Sequence, residues 1–149
     1  MSKKKKILFL CTGNSCRSQM AEGWARHLHK DLIESYSAGI EKHGLNPYAV
    51  QVMAEANVDI TSQTSNTVSD LGPLPFDYVV TVCGHANENC PVFFSETEII
   101  HRGFDDPPQL AKQVEEESAK LDCYRRVRDE IEQFVRRLPE WLSARSSPK

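Results

Sequence analysis

The chain has 149 residues, enough to bury one core and too few for two. Its 18 Lys and Arg against 21 Asp and Glu leave a net charge of −3, without the basic excess that a nucleic-acid or membrane-surface binder needs. At 40% hydrophobic, 26% charged and 8% aromatic residues, it reads as an ordinary folded chain, neither disordered nor fibrous.

No apolar run reaches the roughly 18–20 residues of a membrane span. Lys3-Lys4-Lys5-Lys6 before Ile7-Leu8-Phe9-Leu10-Cys11 has the order of a secretion signal. The apolar stretch stops at Thr12-Gly13-Asn14, short of the about 7–15 residues such a signal needs, and no cleavage site follows. The lysines read as a solubilising flank, and the chain is expected in the cytoplasm, where thiols stay reduced. The five cysteines (Cys11, Cys16, Cys83, Cys90 and Cys123) then read as reactive, metal-binding or buried thiols.

Ile7-Leu8-Phe9-Leu10 has the continuous apolar pattern of a strand covered on both faces. A small polar loop, Cys11 to Ser18, follows. Ser18 is read as the N-cap of a helix whose apolar face is Met20, Trp24 and Leu28, with Ala21 and Ala25 beside them. Residues 33–37 predict a second strand. Asn46-Pro47 opens a helix that buries Val50, Met53, Ala54 and Val58. Residues 69–75 break regular structure, residues 77–82 predict a central strand, and residues 98–102 a further short one. Val127, Ile131, Phe134, Val135, Leu138 and Leu142 mark a last helix, with Pro139 expected to kink or end it and a flexible tail over 143–149. Strands alternating with helices predict one α/β domain over 1–149, with a mostly parallel four-stranded sheet flanked by helices.

Ligands of open α/β sheets bind beyond the carboxyl ends of the strands, and Cys11 sits at such an end. The loop to Arg17 can wrap into a cup of inward N–H groups, reinforced by the positive end of the following helix. Arg17 adds a planar fork for two oxygens of a tetrahedral oxyanion. Converging N–H groups and a guanidinium favour Cys11 as thiolate, a nucleophile at the base of an anion-binding cup. Expelling hydroxide or alkoxide needs an acid, and Asp105-Asp106-Pro107 offers one; chemistry alone leaves Asp105 and Asp106 both open.

Cys11-Thr12-Gly13-Asn14-Ser15-Cys16-Arg17-Ser18 with Asp106-Pro107 resembles the low-molecular-weight protein tyrosine phosphatase fold. Continued as Gln19-Met20-Ala21-Glu22-Gly23 and joined to Cys83 and Cys90, it more closely resembles the thioredoxin-coupled arsenate reductases built on that fold. The likeness runs from about Lys5 to Pro139. It implies reduction of arsenate to arsenite in arsenic detoxification, with Cys11 as nucleophile, Arg17 and residues 12–18 as the oxyanion cup and Asp106 as the acid. It also implies that Asn14 shapes the cup and that Ser18 hydrogen-bonds the thiolate. Some relatives hold a potassium ion at positions matching Asn14, Glu22 and Ser37; this chain has Asn66 where they have an Asp and Gln63 where one has a His.

In the same resemblance, Cys83 attacks Cys11 and releases arsenite, and Cys90 then takes over the disulfide from Cys11 for an external reductant. Thioredoxin is the implied reductant and glutaredoxin the runner-up, acting on a monomer with no tightly bound cofactor. A helical 84–89 segment would set the Cα atoms of Cys83 and Cys90 roughly 10 Å apart over seven steps, beyond the about 7 Å that a disulfide tolerates. The segment must therefore unwind on oxidation, and its weak helix formers with Pro91 beyond Cys90 suit that. A low-molecular-weight protein tyrosine phosphatase and a redox- or oxyanion-sensing module are the alternatives. A zinc site at Cys83, His85 and Cys90 with His101 or Cys123 matches no standard spacing. Cys16 reads as packing and Cys123 as incidental. His27, His29, His43 and His101 read as isolated imidazoles.

Overall fold

Ile7-Leu8-Phe9-Leu10 are wholly buried, and they form the middle of β1 (Lys5–Cys11), the strand against which the rest is laid. The computed structural model describes residues 4–88, 90, 93 and 96–146. After β1 come α1 (Arg17–His29), β2 (Ile33–Gly39), α2 (Pro47–Glu55), α3 (Val68–Leu71) and β3 (Tyr78–Thr81). α4 (Gly84–Glu88), β4 (Glu98–His101), α5 (Pro107–Ala111) and α6 (Glu117–Ser146) complete the chain. Among the described residues, no helix is long and apolar enough to cross a membrane.

The four strands form one sheet in the order β2-β1-β3-β4, every neighbouring pair parallel. The α/β architecture expected from the sequence is therefore present, with no antiparallel strand among the described residues. Leu10 pairs with Thr81, Thr81 with His101, and Cys11 with Gly39. All four strands consequently deliver their next segments to one edge, and Cys11, Cys83 and the 102–106 connection all leave the sheet there. α1 packs on β1, β2 and α6, whose Tyr124, Val127, Ile131, Val135, Leu138 and Leu142 are buried.

Local chemistry explains where the elements start and stop. Asn46 caps α2, its side chain accepting from the Tyr48 and Ala49 amides, with Pro47 in the first turn. Residues 69–75 are less irregular than expected: Thr67 and Asp70 form a reciprocal capping box that holds the one-turn α3. Asp106 is the N-cap residue of α5, and its side chain makes no capping bond. Lys5 and Lys6 belong to β1, with Lys6 Nζ 3.8 Å from Glu34, and Lys3 lies outside the described residues.

Pro139 does not end the last helix, which continues to Ser146. The expected tail is thus helical over 143–146, and 147–149 lie outside the described residues. A proline at 139 has no N–H for the Val135 carbonyl one turn earlier. His29 Nε2 lies 2.8 Å from that carbonyl oxygen and takes the missing donor's place from the end of α1. His29→Ala should therefore cost about 1–3 kcal/mol by stranding the carbonyl, read as a lower urea midpoint. An unchanged midpoint would refute the assignment.

Candidate active site

The loop between β1 and α1 is shaped by where its carbonyls go. Those of Cys11, Thr12, Gly13 and Ser15 accept from the amides of Ile40, Glu41, His43 and Asn46 at 2.8–3.1 Å. The Asn14 carbonyl accepts from Gln19 Nε2 at 3.0 Å. Five successive carbonyls thus face outward, Asn14 turning the chain in the left-handed region at φ 47°. The belt after β2 lies so close that a Cβ at Gly39 would stand 2.2 Å from the Glu41 carbonyl and 2.7 Å from the Asn14 nitrogen, so only glycine fits.

Cys11, Thr12, Gly13, Ser15, Cys16 and Arg17 line a cavity of about 350 Å³, with His43, Asp106 and Pro108 as its remaining wall. α1 begins at Arg17 with Cys16 as N-cap residue and no side-chain cap. Ser18 is therefore not the N-cap expected from the sequence. Its hydroxyl is spent elsewhere: Ser18 Oγ is 2.8 Å from Cys11 Sγ and accepts from Asn14 Nδ2 at 2.9 Å. Because Asn14 already occupies that oxygen, the single hydroxyl hydrogen is free to point at the sulfur. The uncapped helix start stays open toward the cavity, which suits an anion.

Arg17 is held by its Nη1, which donates to the Phe104 carbonyl at 2.9 Å, and its Nη2 lies 3.6 Å from Asp106 Oδ1. Asp105 instead takes Arg126 at 2.9 Å, so the cavity wall belongs to Asp106. Cys16 is buried beside Cys11, and burial first, then the neighbouring Cys11, pushes its thiol well up. Cys16 is thus held as a neutral thiol in the loop wall.

Cys83 is buried, and its Sγ lies 3.2 Å from Thr12 Oγ1, on the residue next to Cys11. The amide of Ala86, in α4, donates to the same sulfur at 3.4 Å. Cys90 is partly buried against the core, and desolvation pushes its thiol up. All five cysteines are free. The expected helix between Cys83 and Cys90 is present over Gly84–Glu88, while Asn89, Pro91 and the His85 side chain lie outside the described residues. Cys123 donates to the Ala119 carbonyl at 3.4 Å on α6 and does not line the cavity. Thr81 Oγ1 meets His101 Nδ1 at 2.9 Å. Among the described residues, no cluster of three or more His, Cys, Asp or Glu side chains could hold a metal.

The potassium site implied by the resemblance does not fit these residues. Asn14 Oδ1 accepts from the Asn66 amide at 2.6 Å and from Gln19 Nε2 at 3.2 Å. Glu22 Oε1 accepts from Ser37 Oγ at 2.5 Å, and its Oε2 holds the Arg26 guanidinium. Burial pushes the Glu22 carboxyl up, while Ser37 and Arg26 pull it back. The positive charge that a cation would bring is already supplied by Arg26. Sequence reasoning singled out Asn14, Glu22, Ser37, Gln63 and Asn66 but missed Gln19 and Arg26, the place of His43 on the cavity wall and the 40–46 belt. The available signal was a polar stripe, Gln19, Glu22 and Arg26 at i, i+3 and i+7 of α1.

Residues 6–147 match the family model described as low molecular weight phosphotyrosine protein phosphatase. A protein of Halalkalibacterium halodurans named arsenate reductase is 51% identical over 137 residues, 92% of this chain and 96% of that one. One of Bacillus licheniformis with the same name is 50% identical, with the same coverage. A solved structure of an arsenate reductase in its oxidized state superposes with a TM-score of 0.77 at 30% identity, covering 93% of this chain and 99% of the other.

Exchanging sodium for potassium at constant ionic strength should leave the Tm unchanged, because the acceptor oxygens and their charge partner are already committed. A rise specific to potassium, absent with sodium, would overturn that assignment.

Proposed function

The chain belongs to the low molecular weight phosphotyrosine protein phosphatase family, among its arsenate reductases, and from that premise we propose that it reduces arsenate to arsenite by a relay of three thiols. The observation that carries this reading is the 3.2 Å contact between Thr12 Oγ1 and Cys83 Sγ, which ties a second sulfur to the loop that holds the first. A phosphatase needs no such sulfur.

Arsenate sits among the inward amides of residues 12–17 and the Arg17 fork. The Cys11 thiolate attacks arsenic, Asp106 gives its proton to the departing oxygen, and water leaves. The product is a Cys11–S–As(V) bond, with no electrons yet transferred. Cys83 then attacks Cys11 Sγ; the S–As pair stays on arsenic, which leaves as arsenite, and a Cys11–Cys83 disulfide remains. Cys90 attacks Cys83, Cys11 departs as thiolate, and the oxidation now rests on Cys83–Cys90. An external dithiol, thioredoxin in this reading, returns two electrons and two protons. The relay draws every group from one chain, acting as a monomer in a reducing cytoplasm.

The thiol states suit this order. The Ala86 N–H and the Thr12 hydroxyl hold the Cys83 sulfur beside the cup, whereas burial pushes the Cys90 thiol up and keeps it protonated. Cys90 enters only when the 84–90 segment opens, so the outer pair is protected from oxidation before arsenate arrives.

Arsenate-dependent NADPH consumption with thioredoxin and its reductase should be lost at least about 100-fold in Cys83→Ser, while slow aryl phosphate hydrolysis persists. Hydrolysis as the sole activity of the wild type would favour a phosphatase, and neither activity a sensor. Amides of residues 84–88 should exchange faster in the oxidised protein than in the reduced one. Superimposable exchange curves would exclude the opening.

A further inference from the structure

A string of polar side chains runs through the core behind the cavity, and each link donates toward Cys11. Arg26 Nη1 donates to Gln63 Oε1 at 2.9 Å, and Gln63 Nε2 to Gln19 Oε1 at 2.8 Å. Gln19 Nε2 donates to Asn14 Oδ1 at 3.2 Å, Asn14 Nδ2 to Ser18 Oγ at 2.9 Å, and Ser18 stands 2.8 Å from Cys11 Sγ. Asn14, Ser18 and Gln19 are wholly buried and Gln63 nearly so. A buried polar string costs desolvation that apolar packing avoids, so its presence calls for a use.

We propose that Arg26 is a positioning residue for the nucleophile, acting on Cys11 through Gln63, Gln19, Asn14 and Ser18. The direction of the string is imposed by the backbone. Gln63 Nε2 also donates to the Gln19 carbonyl at 3.0 Å, and Gln19 Nε2 to the Thr64 carbonyl at 2.9 Å. The Asn66 amide donates to Asn14 Oδ1 at 2.6 Å. None of the three amides can flip without stranding a backbone group. The dipoles therefore align with their positive ends toward the sulfur, and hydrogen bonds in such a chain polarise one another.

Arg26 supplies the only charged donor in the string and stands at its outer end. It is anchored by Glu22, which Ser37 fixes to β2, the neighbour of the strand that carries Cys11. The pair thus sets both the charge and the position of the outermost link. Arg26 lies outside the wall of the cavity that holds Cys11.

The proposal rests on Cys11 being the nucleophile of the reading above, and its test uses a readout independent of arsenate. Reduced wild type, Arg26→Met, Arg26→Lys and Gln63→Leu are treated with iodoacetamide at pH 7, and Cys11 labelling is timed by peptide mass spectrometry. Thermal melts identify which variants are folded. In Arg26→Met and Gln63→Leu, both Cys11 labelling and arsenate kcat should fall about three- to tenfold, the size of one hydrogen bond's effect. The KM for arsenate should hold within about twofold, because the cup itself is untouched. Arg26→Lys should recover most of the labelling rate, since the charge and the Glu22 anchor remain. If Arg26→Met does not fold, Gln63→Leu and Arg26→Lys decide. Equal Cys11 labelling in the folded variants and the wild type would overturn the proposal. Normal labelling effects with no arsenate turnover by any form would sink the reductase reading and leave Arg26 in its role.

Discussion

Peptide groups cannot turn both ends to the same side, so a loop whose carbonyls are all drawn outward must present its amides inward. That is the constraint on which this molecule's chemistry depends. The carbonyls of residues 11–15 are drawn to the belt at 40–46 and to Gln19. The belt braces the cup from behind. The belt in turn depends on Gly39, the last residue of β2, where any side chain would strike both the loop and the belt. A change at Gly39 therefore reaches the nucleophile through the backbone alone.

The parallel sheet turns that cup into a place where sulfurs can meet. Since β1 and β3 are adjacent and run in the same direction, the residues after Leu10 and after Thr81 emerge side by side. Cys11 and Cys83 thus reach one edge without any long-range folding of loops, and Thr12 ties them. Burial then separates the thiols by state. Burial pushes the Cys16 thiol well up, and it pushes up the partly buried Cys90 thiol as well. Nearness and charge state are set independently, one by strand register and the other by desolvation.

Much of this was legible in the chain. Continuous apolar runs identify buried strands because both faces of a parallel sheet are covered, and the 3.6 period of α6 survives Pro139 because the stripe on either side is unbroken. The offset from Cys11 to Arg17 is readable because a loop of that length can close around an anion. What escaped has a common cause. Ser18 looks like an N-cap in any one-dimensional reading, since its neighbours are a loop and a helix; only the fold brings Cys11 and Asn14 to its hydroxyl. Pro139 looks like a stop because its rescuer, His29, is more than a hundred residues away. His43 looks isolated because its ring lies on Gly13, across two elements.

Taken alone, the sequence determined the class of fold and singled out the loop from Cys11 to Arg17 and the three thiols that the proposed relay uses, because periodicity, loop length and residue type are local properties. The tertiary structure gave Asp105 to Arg126 and set Asp106 on the cavity wall beside Arg17. It also filled the positions matching the relatives' potassium site with internal partners, the Arg26 guanidinium at Glu22 and hydrogen-bond donors at Asn14. Those choices turn on which side chains arrive within about 3 Å of each other from distant parts of the chain, and hydrogen bonds fall off too steeply with distance for spacing along a sequence to foretell them.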